Sequence, residues 1–170
     1  VADAMEKFKS DGRIKSIGIT ALGDIDAINE VVLSDYFDVA QIYYNLLNPS
    51  ASFSSPGEWN DHNFSNLIKN CKSKDMGLMN IRIYAAGYLA TDKRHGREIP
   101  ITFGIDETEL NKRVEKINFI LKDIQGTKSQ KALRYGLSND NMSTVVIGLA
   151  KISHLEEALE GYELGSLDEE

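Results

Sequence analysis

Short apolar runs alternate along this chain with stretches of helical period. Ala4, Met5 and Phe8 stand at helical spacing in residues 1–10, and Gly12 follows the last lysine as a stop signal. Ile14 to Ile19 reads as a first strand. Asp24 or a neighbour then opens a helix whose inner face is Ile25, Ile28 and Val32. Asp38 to Tyr44 is the clearest strand, rich in β-branched and aromatic residues. Residues 48–63 form a long polar loop, and such a loop inside a compact domain is more often functional than accidental. Leu67, Ile68 and Cys71 mark a helix that stops at Gly77, and Leu78 to Tyr84 is a third strand. Residues 91–105 are charged and irregular, with Lys93, Arg94, His95 and Arg97 as a basic cluster. Asp106 and Glu109 predict a capping box opening the longest helix, striped by Leu110, Val114, Ile117, Leu121 and Ile124. Ala132, Leu133 and Leu137 belong to a further helix. Thr144 to Ile147 is a fourth strand, ending at Gly148. Ser153 and Glu156 predict a second capping box, opening a last helix with Leu155, Ala158 and Leu159.

Strands alternating with helices, without hairpin signals, predict β-α-β crossovers and a parallel α/β sheet. At 170 residues the chain reads as one domain, 1–170, long enough to bury a real core. Its 42% hydrophobic and 26% charged residues exclude wholesale disorder. A net charge of −7 speaks against nucleic acid or an anionic membrane surface as partner. No apolar run approaches the ~20 residues that span a bilayer, and no secretory leader pattern is present. One cysteine, Cys71, allows no internal disulfide and fits a reducing cytoplasm. It has no Cys or His near it at zinc-ligand spacing. Val1 stands where a start Met is ordinary, which predicts a truncated, processed or gene-fragment product.

General chemical motifs are mostly missing. Gly18 and Gly23 have phosphate-loop spacing, but Asp24 stands where a lysine must reach the phosphates. There is no G-x-G-x-x-G after a strand, no H-E-x-x-H and no G-x-S-x-G. His62, His95 and His154 lie far apart in polar surroundings, where surface or capping roles are expected.

Five stretches taken in order carry more. Gly12-Arg13-Ile14-Lys15-Ser16-Ile17-Gly18-Ile19-Thr20 resembles the aldo/keto reductase run G-K-I-R-x-I-G-V-S-N. Asp38 to Leu47, D-V-A-Q-I-Y-Y-N-L-L, resembles that family's D-V-V-Q-V-E-Y-N-L-L. The segment from Gly77 through Arg82, Gly87 and Leu89 is similar to G-I-x-V-x-A-R-x-P-L-x-x-G-x-L. Ala132-Leu133-Arg134-Tyr135 looks like the A-L-R-W helix. Val145 to Gly148 and Leu155 to Ala158 resemble V-I-P-G and L-E-E-N. The likeness spans nearly the whole chain and places it in the second half of the family's barrel. It implies a parallel (β/α) half of a TIM-type barrel, about four strands with flanking helices.

The resemblance also implies an NADP(H) site at the strand C-terminal ends. Thr20 matches the Ser, and Gln41 the Gln, that hydrogen-bond the nicotinamide carboxamide. Arg82 follows the position of the aromatic residue that stacks on the ring, here Ile81, and is suited to pair with a phosphate. Gly148 begins the loop that receives the adenosine phosphate with the following helix N-terminus. Lys151 and Ser153 supply a cation and a donor beside it, Lys151 leaning towards a 2′-phosphate, and Glu157 matches an adenine contact. The departures are Ala21 for Asn, Ile147 for Pro, His154 for Gln and Ala158 for Asn. At ~0.5–1.5 kcal/mol net per lost hydrogen bond, two or three losses weaken binding roughly ten- to a hundredfold. The alternative is that all these positions are strand ends, helix caps and solvated charges.

In the family, the catalytic tetrad of Asp, Tyr, Lys and His lies on the first four β/α units, to which nothing in this sequence corresponds. No catalytic residue or metal ligand is assigned. Tyr43, Tyr44 and Tyr84 are proton-donor candidates by residue type alone, and a core role is the expected one. With four strands covered on one side, the sheet's other face and both edge strands stay open. A homo-oligomer, a loop (48–63 or 91–105) folded over the face, or a missing N-terminal half is therefore expected. The leading expectation is an NADP(H)-dependent oxidoreductase half-barrel acting with a small carbonyl substrate. Its alternatives are a non-catalytic assembly or binding module and a homodimeric barrel with a new site.

Overall fold

The computed structural model describes residues 2–53, 61–94, 96 and 106–167. Helix α1 (Ala2–Ser10) leads into strand β1 (Gly18–Ala21), α2 (Ile25–Val32) and β2 (Val39–Tyr43). Then come α3 (Leu67–Ser73), β3 (Gly77–Ile81), a 3-10 turn at Ala85–Gly87, α4 (Glu107–Ile120), α5 (Lys128–Leu137), β4 (Thr144–Val145) and α6 (Ile152–Glu163). The four strands form one sheet in chain order, β1-β2-β3-β4, with every neighbouring pair parallel. The expected parallel half-barrel architecture is the one observed.

Strand alternation sorts the two faces. Ala40, Ile42, Leu78 and Asn80 are fully buried beneath the helices. Ile28 and Val32 of α2 and Leu67, Ile68 and Cys71 of α3 join them in one apolar cluster. Leu110 and Val114 of α4 and Ala132 of α5 form a second cluster around Ile83, Tyr88 and Leu89. The alternate residues Gly18, Thr20, Val39, Gln41, Met79 and Ile81 are half-buried or exposed. Near the strand ends Tyr43 is the buried member of that row, with the Phe64 ring 5.5 Å away. Burial pushes the Cys71 thiol up to about 11, so it packs as an inert hydrophobe.

Three element boundaries differ from expectation. Strand β1 begins at Gly18 rather than Ile14, because Ile14 closes the turn after α1 by donating its N–H to Phe8 O at 3.3 Å. Sheet pairing starts at Ile17, whose N–H donates to Asp38 Oδ2 at 2.8 Å. The Lys9 ammonium binds the same carboxylate at 2.7 Å and, with that N–H, holds Asp38 below the usual carboxylate range. Helix α3 ends at Ser73, short of Gly77, which is the first residue of β3. Strand β3 ends at Ile81 rather than Tyr84, since Arg82 turns left-handed.

Caps also differ. Asp106 caps α4 by accepting from Thr108 N at 3.0 Å, but the box expected with Glu109 does not close, since Glu109 pairs with Arg113 instead. The box expected at Ser153 is not formed: α6 starts at Ile152, its N-cap Lys151 makes no side-chain cap bond, and Ser153 lies inside the helix. A reciprocal box stands instead at Thr127 and Gln130, opening α5.

Asn80 is the anomaly of the core. It is fully buried, and neither side-chain amide atom has a hydrogen-bond partner. A buried amide left unpaired costs about 1–3 kcal/mol, so Asn80→Leu, of similar shape, is expected to stabilise the fold by about 1–2 kcal/mol. Urea unfolding midpoints of the two proteins check this.

Candidate functional site

The C-terminal ends of β3 and β4 open onto a groove of about 990 Å³. One wall is the chain after β3, from Arg82 through Gly87. The other is the loop after β4, Val146 to Lys151, with His154 and Glu157 from the first turns of α6.

The first wall has an unusual backbone. Arg82 (φ 61°), Ala85 (φ 45°) and Ala86 (φ 57°) all sit in the left-handed region, although none is glycine. Such residues cost of order 1–3 kcal/mol each and persist only where the surroundings hold them, typically at ligand clamps and active sites. Here the holder is Asn45, fully enclosed after β2, whose Nδ2 donates to Arg82 O at 2.9 Å. Asn45 Oδ1 in turn accepts from Leu47 N and Asn48 N at 2.9 and 3.0 Å.

The second wall is built for close approach. A Cβ added at Gly148 would meet nothing within 4 Å. Behind it α6 presents an N-terminus without a side-chain cap, where free N–H groups and the helix dipole favour an anion. His154 Nδ1 accepts from Ala150 N at 3.4 Å, so the imidazole packs back on the loop.

Charge and polarity are divided along the groove. Arg82, Lys93 and Lys151 bring cations to its lining, while Ile83, Val146, Ile147 and Leu149 make it apolar between them. Glu157 Oε1 accepts from the Thr127 hydroxyl at 2.7 Å, which ties the carboxylate to the start of α5. Tyr84 also lines the groove, with its phenol pushed above the ordinary range by burial and, next, by the Glu157 charge. A phenol shifted upward is a poorer proton donor near neutral pH.

Of the seven residues singled out in the sequence, Arg82, Gly148, Lys151 and Glu157 share this groove. Thr20 and Gln41 stand together elsewhere, opposite one another in the β1–β2 register. The Thr20 hydroxyl donates to Gln41 Oε1 at 2.8 Å, which leaves the Gln41 amide nitrogen to donate to a ligand. Ser153 is exposed on α6, outside the groove lining. Tyr43 and Tyr44 are core residues: burial pushes the Tyr43 phenol up, and Tyr44 stacks on Tyr135 at 5.1 Å. His62 serves a loop, its Nε2 lying 2.6 Å from Gly23 O and its ring against Phe64. Arg94 of the basic cluster donates to Thr91 O and stacks on Tyr88, while His95 and Arg97 lie outside the described residues. Asn45 and Thr127 support the site without having been singled out. The T-x-x-Q signature at Thr127 was present to be read, whereas nothing local marks Asn45 as the anchor of Arg82.

Among the described residues no three His, Cys, Asp or Glu side chains gather as a metal site, and no helix is long and apolar enough to cross a membrane.

Comparison with known proteins gives the groove a context. The profile described as "Aldo/keto reductase family" matches residues 1–170. The aldo-keto reductase AKR11C1 of Bacillus halodurans, in its holo form, superposes with a TM-score of 0.68 at 18% identity, over 98% of this chain and 51% of its own. The apo form of the same protein gives 0.68 at 20% identity, over 99% and 52%. An aldo/keto reductase from Klebsiella pneumoniae, solved in complex with NADP and acetate, gives 0.61 at 14% identity, over 99% and 49%. The chain thus spans about half the length of these solved structures. No curated protein sequence matches it.

Proposed function

The chain belongs to the aldo/keto reductase family, and on that premise we propose that it is a reductase half-barrel that holds NADP(H) in the strand-end groove. The observation that carries this reading is the convergence of Arg82, Gly148, Lys151 and Glu157, drawn from the chain after β3, the β4 loop and α6, on one groove with an open helix N-terminus. Three cations suit the phosphates, the apolar stretch suits a flat heterocycle, and the open space at Gly148 admits a phosphate close to the backbone. The Thr20–Gln41 pair, one hydroxyl and one amide, suits a carboxamide without adding charge. Bound NADPH would supply a hydride. The chain's own residues would bind and orient it, and a small aldehyde, ketone or sugar is the substrate class that chemistry serves.

A second reading has specific support. Ala21 and Ala158, where the resemblance calls for asparagines, are buried and apolar. Tyr84, the phenol on the groove, is shifted away from acid function. A chain that keeps the fold as a binding or assembly module, without turnover, is consistent with both.

Calorimetric titration separates the two. NADPH is expected to bind saturably, and Lys151→Ala to weaken NADPH about tenfold while leaving NADH unchanged, as loss of one charge-assisted contact of ~1.5 kcal/mol requires. No heat at millimolar NADPH leaves the module reading standing.

A further inference from the structure

The start of α5 grips one residue of the groove twice. Gln130 Nε2 donates to the backbone carbonyl of Glu157 at 3.1 Å, and the Thr127 hydroxyl donates to Glu157 Oε1 at 2.7 Å. Gln130 Oε1 in turn accepts from Thr127 N at 2.9 Å, so both bonds issue from one capping box. Main chain and side chain of Glu157 are thereby fixed from the same place. Lys128, between Thr127 and Ser129 in sequence, pairs with Asp92 and makes no ion pair with Glu157. The hold on the carboxylate is a hydroxyl, not a charge.

Counting protons gives that bond a direction. A carboxylate only accepts, so the single hydroxyl proton of Thr127 goes to Glu157. The Ser129 hydroxyl, 3.0 Å away and on the groove lining, is then the donor to Thr127 Oγ1, as is the Gln130 N–H at 3.3 Å. The Thr127 oxygen accepts twice and donates once, which is its full capacity, and it cannot turn without losing a partner. Glu157 Oε1 is occupied in this way. Its Oε2 has no hydrogen-bond donor among the described residues, and Glu157 lines the groove.

We propose that Thr127 is a positioning residue for base selection: it pins Glu157 so that the free oxygen accepts from the exocyclic amine of a 6-aminopurine and discriminates against a 6-oxopurine. The proposal rests on the NADP(H) reading of the groove and adds what selects its base. An unpinned carboxylate would be free to swing from the 6-position to the N1–H that a 6-oxopurine carries, and the two bases would bind alike. A pinned carboxylate meets the lone pairs of the 6-oxygen instead, acceptor against acceptor. Selection therefore lies in Thr127 and not in Glu157 alone.

Calorimetric titration of NADPH and of its hypoxanthine analogue tests this, with melting temperature as the control for folding. The wild-type chain is expected to favour NADPH about tenfold, as one charge-assisted contact provides. Thr127→Ser keeps both the cap and the donor, and should keep the preference. Thr127→Asp keeps the cap, because aspartate also accepts from the Gln130 N–H, but it has no proton for Glu157. Its preference should fall to no more than about twofold, and Thr127→Val, which loses both, should fall with it. A role through the cap alone gives another order, in which Asp behaves as Ser and only Val is impaired. That result overturns the proposal. So does a preference shared by all the variants, or a wild-type chain that binds both dinucleotides equally, and each of these leaves the cofactor reading standing. A wild-type chain that does not bind NADPH overturns that reading and the proposal together.

Discussion

Arg134→Met is expected to destabilise the fold by about 3–4 kcal/mol, the largest single effect among the polar residues. Arg134 is buried on α5 and makes no ion pair with a carboxylate among the described residues. Its guanidinium is spent on three backbone carbonyls instead, with Nε donating to Gly165 O at 2.8 Å, Nη1 to Gln125 O at 2.6 Å and Nη2 to Ser166 O at 3.2 Å. These bonds fasten the turn before α5 and the chain after α6 to one helix. Methionine keeps much of the stem volume and removes every donor. Hydrogen bonds from a charged group contribute about 1.5–3 kcal/mol each, and the carbonyls of the exposed Gly165 and Ser166 can recover water, which brings the sum down to the expected range. At roughly 2–4 °C per kcal/mol for a chain of this size, the melting temperature should fall by about 10 °C. Arg134→Lys, with one compact cation in place of a fork, should recover less than half of that. A melting temperature within a degree or two of wild type would mean that α5 and α6 are held by packing alone, with Gly161 against Gln130 as the contact.

The second large effect is expected at Asn45. Asn45→Leu leaves the buried Leu47 N–H without a partner, while the Asn48 N–H keeps Asn45 O at 3.1 Å and the Arg82 carbonyl keeps the Ala85 N–H at 2.9 Å. At about 1–3 kcal/mol for the orphaned group, with two further bonds lost and the apolar gain of leucine set against them, the net cost is about 2 kcal/mol. This substitution also reaches the groove. Arg82 keeps its left-handed backbone against its intrinsic preference, and Asn45 is the side chain that holds its carbonyl. NADPH affinity should therefore fall with stability, whereas Arg134→Met, despite its larger loss of stability, should leave affinity near wild type. Titration of both variants below their melting temperatures checks the contrast. Equal affinity in the two would mean that the Arg82 conformation is set by the chain around it and not by Asn45.

Much of the fold was legible because its signals are local and repeated. Ile28 and Val32, Leu67 with Ile68 and Cys71, and Leu110 with Val114 carry the helical period, and they are the residues buried on the helix side of the sheet. Asp24 and Asp106 cap the helices they were expected to open. What failed was set by partners distant in sequence. Ile14 looks like strand, yet the carbonyl of Phe8 claims its N–H, while Asp38 fixes Ile17 as the start of pairing from 21 residues away. The end of β3 was hidden because Arg82, Ala85 and Ala86 take left-handed turns that glycine would have announced. The helix expected to stop at Gly77 stops earlier because Asp75 takes that conformation instead.

The site was legible in a different way. Periodicity says nothing of it, since Gly148, Lys151 and Glu157 leave no pattern in hydrophobicity. They were reached through the family resemblance, which fixed their order along the chain but not their geometry. It could not distinguish Lys151, on the groove, from Ser153, two residues on and outside the lining. Nor could it show that Thr20 and Gln41 bond to each other across adjacent strands.

The most direct measurement is amide hydrogen exchange with and without saturating NADPH, read peptide by peptide. If the strand-end groove holds the cofactor, exchange should slow in residues 82–91 and 146–154, and in the segments carrying Thr20 and Gln41. The far faces, α2 and the solvent side of α3, should not change. Saturable binding with protection elsewhere, or with no change at 146–154, would contradict the assignment of the groove.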